Sequence, residues 1–238
     1  MQNLSTEILL YGLSEALAGL TIIVTALFVL KRDRSYDLNK LVALSLIFFA
    51  SMLISESLMY LLQSDDAVII NLFRDITEIS GILAGSFILL SSVAVNIGVE
   101  WKRYPTLLPI FIIDIISIVG TMFHHVYIKE IDGSFYYYYL GDIFIIPILV
   151  SGVPILLLLL SIYFFYKIWS EVKITDPDIA KKLISLQIGL IIIVLSATFL
   201  VTLFTILIPE GTVPNPIMIL IGMLGYFISS LLVFRGFK

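Results

Sequence analysis

The chain has 238 residues, of which 60% are hydrophobic and only 13% charged, more apolar surface than a soluble domain of that length can bury. At about 20 residues per crossing, residues 1–238 hold seven transmembrane helices with short loops, which leaves a single membrane domain and no room for a folded soluble one. The absence of Cys excludes disulfides, thiolate metal sites and cysteine catalysis, and a net charge of −4 gives no reason to expect nucleic acid as a partner.

Apolar runs bounded by charges or Pro predict an all-α, seven-helix bundle. Its spans lie near Ile8–Leu30, Leu41–Leu62, Val68–Val99, Thr106–Phe123, Ile143–Phe165, Leu183–Ile208 and Ile217–Phe234. No basic residue precedes the first run, which is also too long for a signal-peptide core, so it reads as a retained span. The third run is longer than a bilayer needs. Thr175-Asp176-Pro177-Asp178 predicts a helix start, a capping side chain followed by Pro in the first turn. Val-Pro-Asn-Pro at 213–216 separates the sixth span from the seventh. Gly12 with Ala16, Gly81 with Gly85, and Gly222 with Gly225 put small residues where helices approach closely.

Orientation follows from the fourteen Lys and Arg. Twelve fall in one set of alternate loops and the C-terminal tail: Lys31, Arg32, Arg34, Lys40, Lys102, Arg103, Lys167, Lys173, Lys181, Lys182, Arg235 and Lys238. The other side holds Lys129, and Arg74 stands apart. The positive-inside rule then places the N-terminus outside and the C-terminus in the cytoplasm of a multi-pass cell-membrane protein.

An ionisable side chain inside a span is costly, about 2.5–3.5 kcal/mol for Asp, Lys or Arg at mid-helix on insertion scales, so each requires a reason. Glu15 and Glu56 sit about 10 and 9 Å inward from the outer ends of their helices at 1.5 Å per residue, hence at a shared depth. Tyr11 and Tyr60 lie one turn further out on the same faces and supply phenolic donors. Arg74, Asp75 and Glu78 fall at the outer end of the long third helix, where Arg74 and Glu78 have the spacing of a local ion pair. The candidate ligand site is therefore Glu15, Glu56, Arg74 and Glu78, supported by Tyr11, Tyr60 and Asp75. Four acids against one base make it a site for protons or cations, with at least one carboxyl neutral unless a cation is bound. The plainer alternative keeps Glu15 and Glu56 as separate contacts to their tyrosines and the charged turn of the third helix in water.

Asp114, near the middle of the fourth span, is expected to bond a Ser or Thr across a helix interface. His124 and His125 end that span at the outer edge and are candidate sensors of external pH. Being adjacent, they point about 100° apart and do not make the ligation that a transmembrane haem uses. Tyr136 to Tyr139 fit an interfacial aromatic belt in the outer loop, and Asn3-Leu4-Ser5 fits a glycosylation acceptor. The seventh span carries no Lys, so covalent retinal is excluded. Leu140-Gly141-Asp142 lacks the fuller Gly-x-Gly-Asp pattern of intramembrane aspartyl proteases. Gln187 is the one large polar side chain of the inner half, which argues against a pump pathway. Neither catalytic machinery nor a metal or cofactor site is expected.

The order of features resembles the N-terminal seven-helix sensor region of some archaeal and bacterial histidine kinases. The likeness rests on the long third helix running into Gly98-Val99-Glu100 and on His124-His125 before an outer loop. It rests also on Lys181-Lys182-Leu-Ile-Ser-Leu-Gln187-Ile-Gly189 opening the sixth span. That resemblance implies a membrane sensor passing a helix movement to a cytoplasmic output. No kinase follows Phe234 in these 238 residues, so the expectation is signalling through a separate cytoplasmic or membrane protein partner. A transporter or channel subunit for protons or small cations is the second expectation, and a structural subunit of a membrane complex the third.

Overall fold

The computed structural model describes residues 6–32, 37–103, 105, 107–131, 134–139, 152–202 and 216–237. Among them are seven α-helices: α1 (Thr6–Arg32), α2 (Asp37–Leu62), α3 (Ala67–Ile97), α4 (Leu107–Thr121), α5 (Val153–Thr175), α6 (Pro177–Thr202) and α7 (Pro216–Phe237). A short 3₁₀ segment, Gly98–Arg103, follows α3, and a β hairpin of β1 (Val126–Ile131) and β2 (Ser134–Tyr139) follows α4.

Local chemistry sets several helix ends. Asp66 caps α3, its Oδ1 accepting from the Val68 amide at 2.8 Å, and Gly98 turns the chain out of α3 at a φ of 78°, where a Cβ is disfavoured. Asp176 Oδ1 accepts from the amides of Asp178 and Ile179 at 3.2 and 3.0 Å, with Pro177 in the first position of α6.

α1, α2, α3, α5, α6 and α7 pack in that order around a ring, which closes where α7 meets α1; α4 lies outside it against α3. The ring encloses the main apolar core, including Ile22, Val42, Leu53, Phe165, Leu190 and Val233. Its outer surface is apolar too. Leu13, Leu17, Leu20, Val24 and Leu27 form an exposed stripe on α1, and Phe111, Ile112, Ile115, Ile116 and Val119 one on α4. Glu15, Arg74, Ser86, Ser91, Asp114 and Ser117 are buried instead. Water would not tolerate that arrangement, whereas hydrocarbon does. Four helices, α1, α2, α3 and α5, are long and apolar enough to cross a membrane, so the chain is a membrane-associated helical protein.

Close approach of the helices uses the predicted small residues. A Cβ on Gly12 would lie 2.6 Å from Leu61 Cγ of α2, and one on Gly85 would lie 3.2 Å from the Pro154 carbonyl of α5. Gly225 faces Ser196 of α6 with no room for a side chain.

Several expectations need correction. α5 was expected to end at Phe165 but runs to Thr175, because a helix does not stop where its membrane-embedded part does; Lys167, Glu171 and Lys173 continue it until Asp176-Pro177. α6 starts at Pro177, where Thr175-Asp176-Pro177-Asp178 predicted a helix start ahead of the apolar span from Leu183, and α4 ends at Thr121 rather than Phe123. The segment holding Tyr136 to Tyr139, read above as an irregular loop, forms β2, paired antiparallel to β1 with Val126 opposite Tyr139 and Ile131 opposite Ser134. Its aromatic and β-branched residues around Asp132-Gly133 carry a hairpin signal in the sequence. Asn3-Leu4-Ser5, Arg34, the predicted start of the fifth span at 143–151, Leu140-Gly141-Asp142, residues 203–215 and Lys238 lie outside the described residues.

Candidate functional site

Two close contacts align the N-terminal half of α1 with the C-terminal half of α2. Gly12 leaves space for Leu61, and the Ser57 hydroxyl donates to the Gly12 carbonyl at 2.7 Å. One helical turn from these contacts stand the tyrosines and acids of the predicted site. The Tyr11 hydroxyl donates to Glu56 Oε1 at 2.8 Å, from α1 to α2, and it also engages Glu15 on its own helix. Each Tyr was expected to serve the acid of its own helix; instead Tyr11 links both acids because the Gly12 approach brings Glu56 within its reach. Tyr60 packs against Tyr11, ring centroids 4.8 Å apart and nearly perpendicular.

Glu15 is only 1% exposed, and its Oε2 has no hydrogen-bond partner among the described residues. Tyr226 of α7, also buried, lies within electrostatic reach of both Glu15 and Glu56 and stacks edge-on against Phe49 of α2 at 5.3 Å. Sequence inspection missed Tyr226, since an isolated Tyr in an apolar run carries no signal of what faces it.

The N-terminal end of α3 departs from expectation. Arg74 does not pair with Glu78 one turn away. It is 2% exposed and donates from Nη1 to the Thr121 carbonyl at 3.0 Å and from Nη2 to Asp75 Oδ1 at 2.6 Å. The reason is the α4 C-terminus, where the Thr121 carbonyl, which also accepts from the His124 amide at 3.0 Å, has a second lone pair for the guanidinium. Glu78 binds His124 instead, Oε1 to Nδ1 at 2.5 Å, both side chains buried. His125 is exposed. Arg74 Nε and Glu78 Oε2 are buried without partners among the described residues. Charge on Glu78 acts on Glu56, and Arg74 acts on Glu78, so Glu15, Glu56, Glu78 and Arg74 form one electrostatic neighbourhood.

Asp114 lies where the sequence put it: Ser86 of α3 donates to its Oδ1 at 2.5 Å across the α3–α4 interface. Among the described residues no three His, Asp or Glu side chains converge as metal ligands. A cavity of about 510 Å³ opens at the opposite end of the bundle, and none of the predicted site residues lines it. Comparison with protein-family models and with curated proteins finds no match.

Proposed function

We propose that the protein is a multi-pass cell-membrane sensor of seven spans, N-terminus outside and C-terminus in the cytoplasm. Its outward-facing polar site is built on Glu15, Glu56, Arg74 and Glu78 and takes a proton or small cation. The observation that carries this reading is the set of buried, unpartnered polar atoms in one neighbourhood, Glu15 Oε2, Glu78 Oε2 and Arg74 Nε. Each such atom costs about 1–3 kcal/mol if left unpaired, a cost that a bound proton, ion or water relieves. Tyr11 ties α1 to α2 through this site, and Tyr226 brings α7 to it, so a change of charge there bears on three helices of the ring.

Sensing is favoured over transport by what lies beneath the acids. Leu53, Phe49 against Tyr226, Leu46, Val42, Ile22, Ala26 and Val29 make a mainly apolar layer toward the basic end. An ion crossing it would meet no buried charged side chain among the described residues, and the hydroxyls of Thr25 and Ser45 there already donate to the Thr21 and Ala84 carbonyls at 3.0 and 2.7 Å. The output is a helix movement read by a separate protein partner, in keeping with the resemblance to kinase sensor regions.

The test is the thermal stability of the purified protein across pH for Glu15→Gln, Glu56→Gln and the double variant. A shared site predicts non-additive, pH-dependent shifts, with the double variant losing the pH response of the wild type. Additive, pH-independent shifts would leave two ordinary helix contacts. Proton uptake by proteoliposomes containing the wild type would instead favour the transporter.

A further inference from the structure

The cavity at the far end of the ring is lined by residues from all six ring helices, so it is the mouth of the bundle and not a groove between two neighbours. Its walls are apolar, with Phe165, Ile168, Val172 and Leu186 among them, and its charged lining residues are Arg32 at the end of α1 and Lys182 in the first turns of α6. Among the described residues no carboxylate lines it. Four cations elsewhere at this end are matched: Lys102 and Lys40 both bind Asp37, at 2.8 and 3.4 Å, Lys181 binds Asp178 at 3.2 Å, and Lys173 lies over the Trp169 ring; Lys31, Lys167 and Arg235 do not line the cavity. Arg32 and Lys182 have no ion pair among the described residues. Two uncompensated cations at the rim of an apolar chamber of about 510 Å³ have the chemistry of a site for an anionic amphiphile.

We infer that this cavity binds a phosphate-bearing lipid, its phosphate held between Arg32 and Lys182 and its hydrocarbon laid along the wall of Phe165, Ile168, Val172 and Leu186. The guanidinium supplies a planar fork matched to phosphate oxygens and the ammonium a point charge, which together neutralise a phosphodiester or monoester. Free phosphate satisfies the cations but leaves the apolar wall wet, and a neutral lipid satisfies the wall but leaves the cations unpaired. Binding there does not depend on the outer acid site or on which way the bundle faces. If the basic end is cytoplasmic, the ligand is an anionic lipid of the inner leaflet.

The experiment is native mass spectrometry and thermal stability of the purified full chain, titrated separately with phosphatidylglycerol, phosphatidylcholine and inorganic phosphate. Expected are retention of phosphatidylglycerol over phosphatidylcholine and a loss of about thirtyfold in that affinity for Arg32→Gln with Lys182→Gln. Both positions are at the bundle surface, so the double variant should keep its ligand-free melting temperature. A control, Lys40→Gln with Lys181→Gln, removes the same charge from paired cations and should change the affinity less than threefold. Equal losses in the two double variants would reduce the effect to surface charge and overturn the site. Equal affinity for the two phospholipids would also overturn it. Inorganic phosphate binding as tightly as phosphatidylglycerol would overturn the lipid assignment.

Discussion

Gln63 shows how one side chain fixes a tertiary contact that no motif announces. It ends α2 at a φ of 46°, a left-handed conformation uncommon outside Gly. From there its amide meets Phe135 of β2 twice, Nε2 donating to the carbonyl at 3.0 Å and Oε1 accepting from the amide at 2.7 Å, as a strand edge would. Asn71 Oδ1 receives the Val126 amide at 3.1 Å and holds β1 to α3. Gln63→Ala removes both bonds and leaves two backbone groups of the hairpin unpaired, a loss of about 1–3 kcal/mol. The expected result is faster amide exchange across 126–139 with little change in α1 and α5; unchanged exchange in the hairpin would show that Gln63 does not anchor it. Tyr11 illustrates the same point at the candidate site. Sequence spacing identifies it as a donor for an acid, but which acid depends on how closely α2 approaches.

At the scale of elements, α4 is the shortest described α-helix, 15 residues or about 22 Å, with most of its apolar side chains exposed. Its buried stripe is Ile110, Asp114, Ser117 and Thr121, spaced on one face against α3. In lipid the apolar face gains nothing by leaving hydrocarbon, so packing and polar contacts decide where such a helix docks. Ser86→Ala removes the donor to Asp114 and should cost on the order of 1 kcal/mol, a fall of a few degrees in melting temperature. Exchange or crosslinking should show α4 loosened from α3 while α1–α2 contacts persist; destabilisation spread evenly through the bundle would contradict this. The spacing of Asp114 within an apolar run made its need for a partner legible. Ser86, one of several Ser on α3, could not be singled out before the helices were packed.

For the whole molecule, the predicted basic side and the structure agree on which residues share an end. Arg32, Asn39, Lys182 and Gly236 meet around one cavity, and Lys102 reaches Asp37 nearby, while the hairpin with Lys129 packs at the other end against Met59 and Ile70. Sidedness is checked directly because the chain has no Cys, so single substitutions label cleanly. With a membrane-impermeant maleimide on intact cells, Lys129→Cys is expected to react at once and Lys181→Cys only after permeabilisation. Labelling of both in intact cells would refute the proposed topology, and the reverse pattern would invert it.

The sequence by itself determined the solvent and the helices. Long apolar runs, Pro and Asp at helix starts, and glycines at close approaches act locally or through bulk partition into lipid, so they are readable without knowing neighbours. It also identified the buried acids, since an ionisable group in hydrocarbon must have a reason to be there. What joins those acids was decided only by tertiary structure. Tyr11 reaching Glu56, Tyr226 arriving from α7, Glu78 taking His124, and Arg74 taking the Thr121 carbonyl all depend on helix rotation and separation. Changes of about an ångström decide which of several available hydrogen-bond partners lies within the 2.7–3.2 Å such a bond requires, and one-dimensional spacing does not contain that distance.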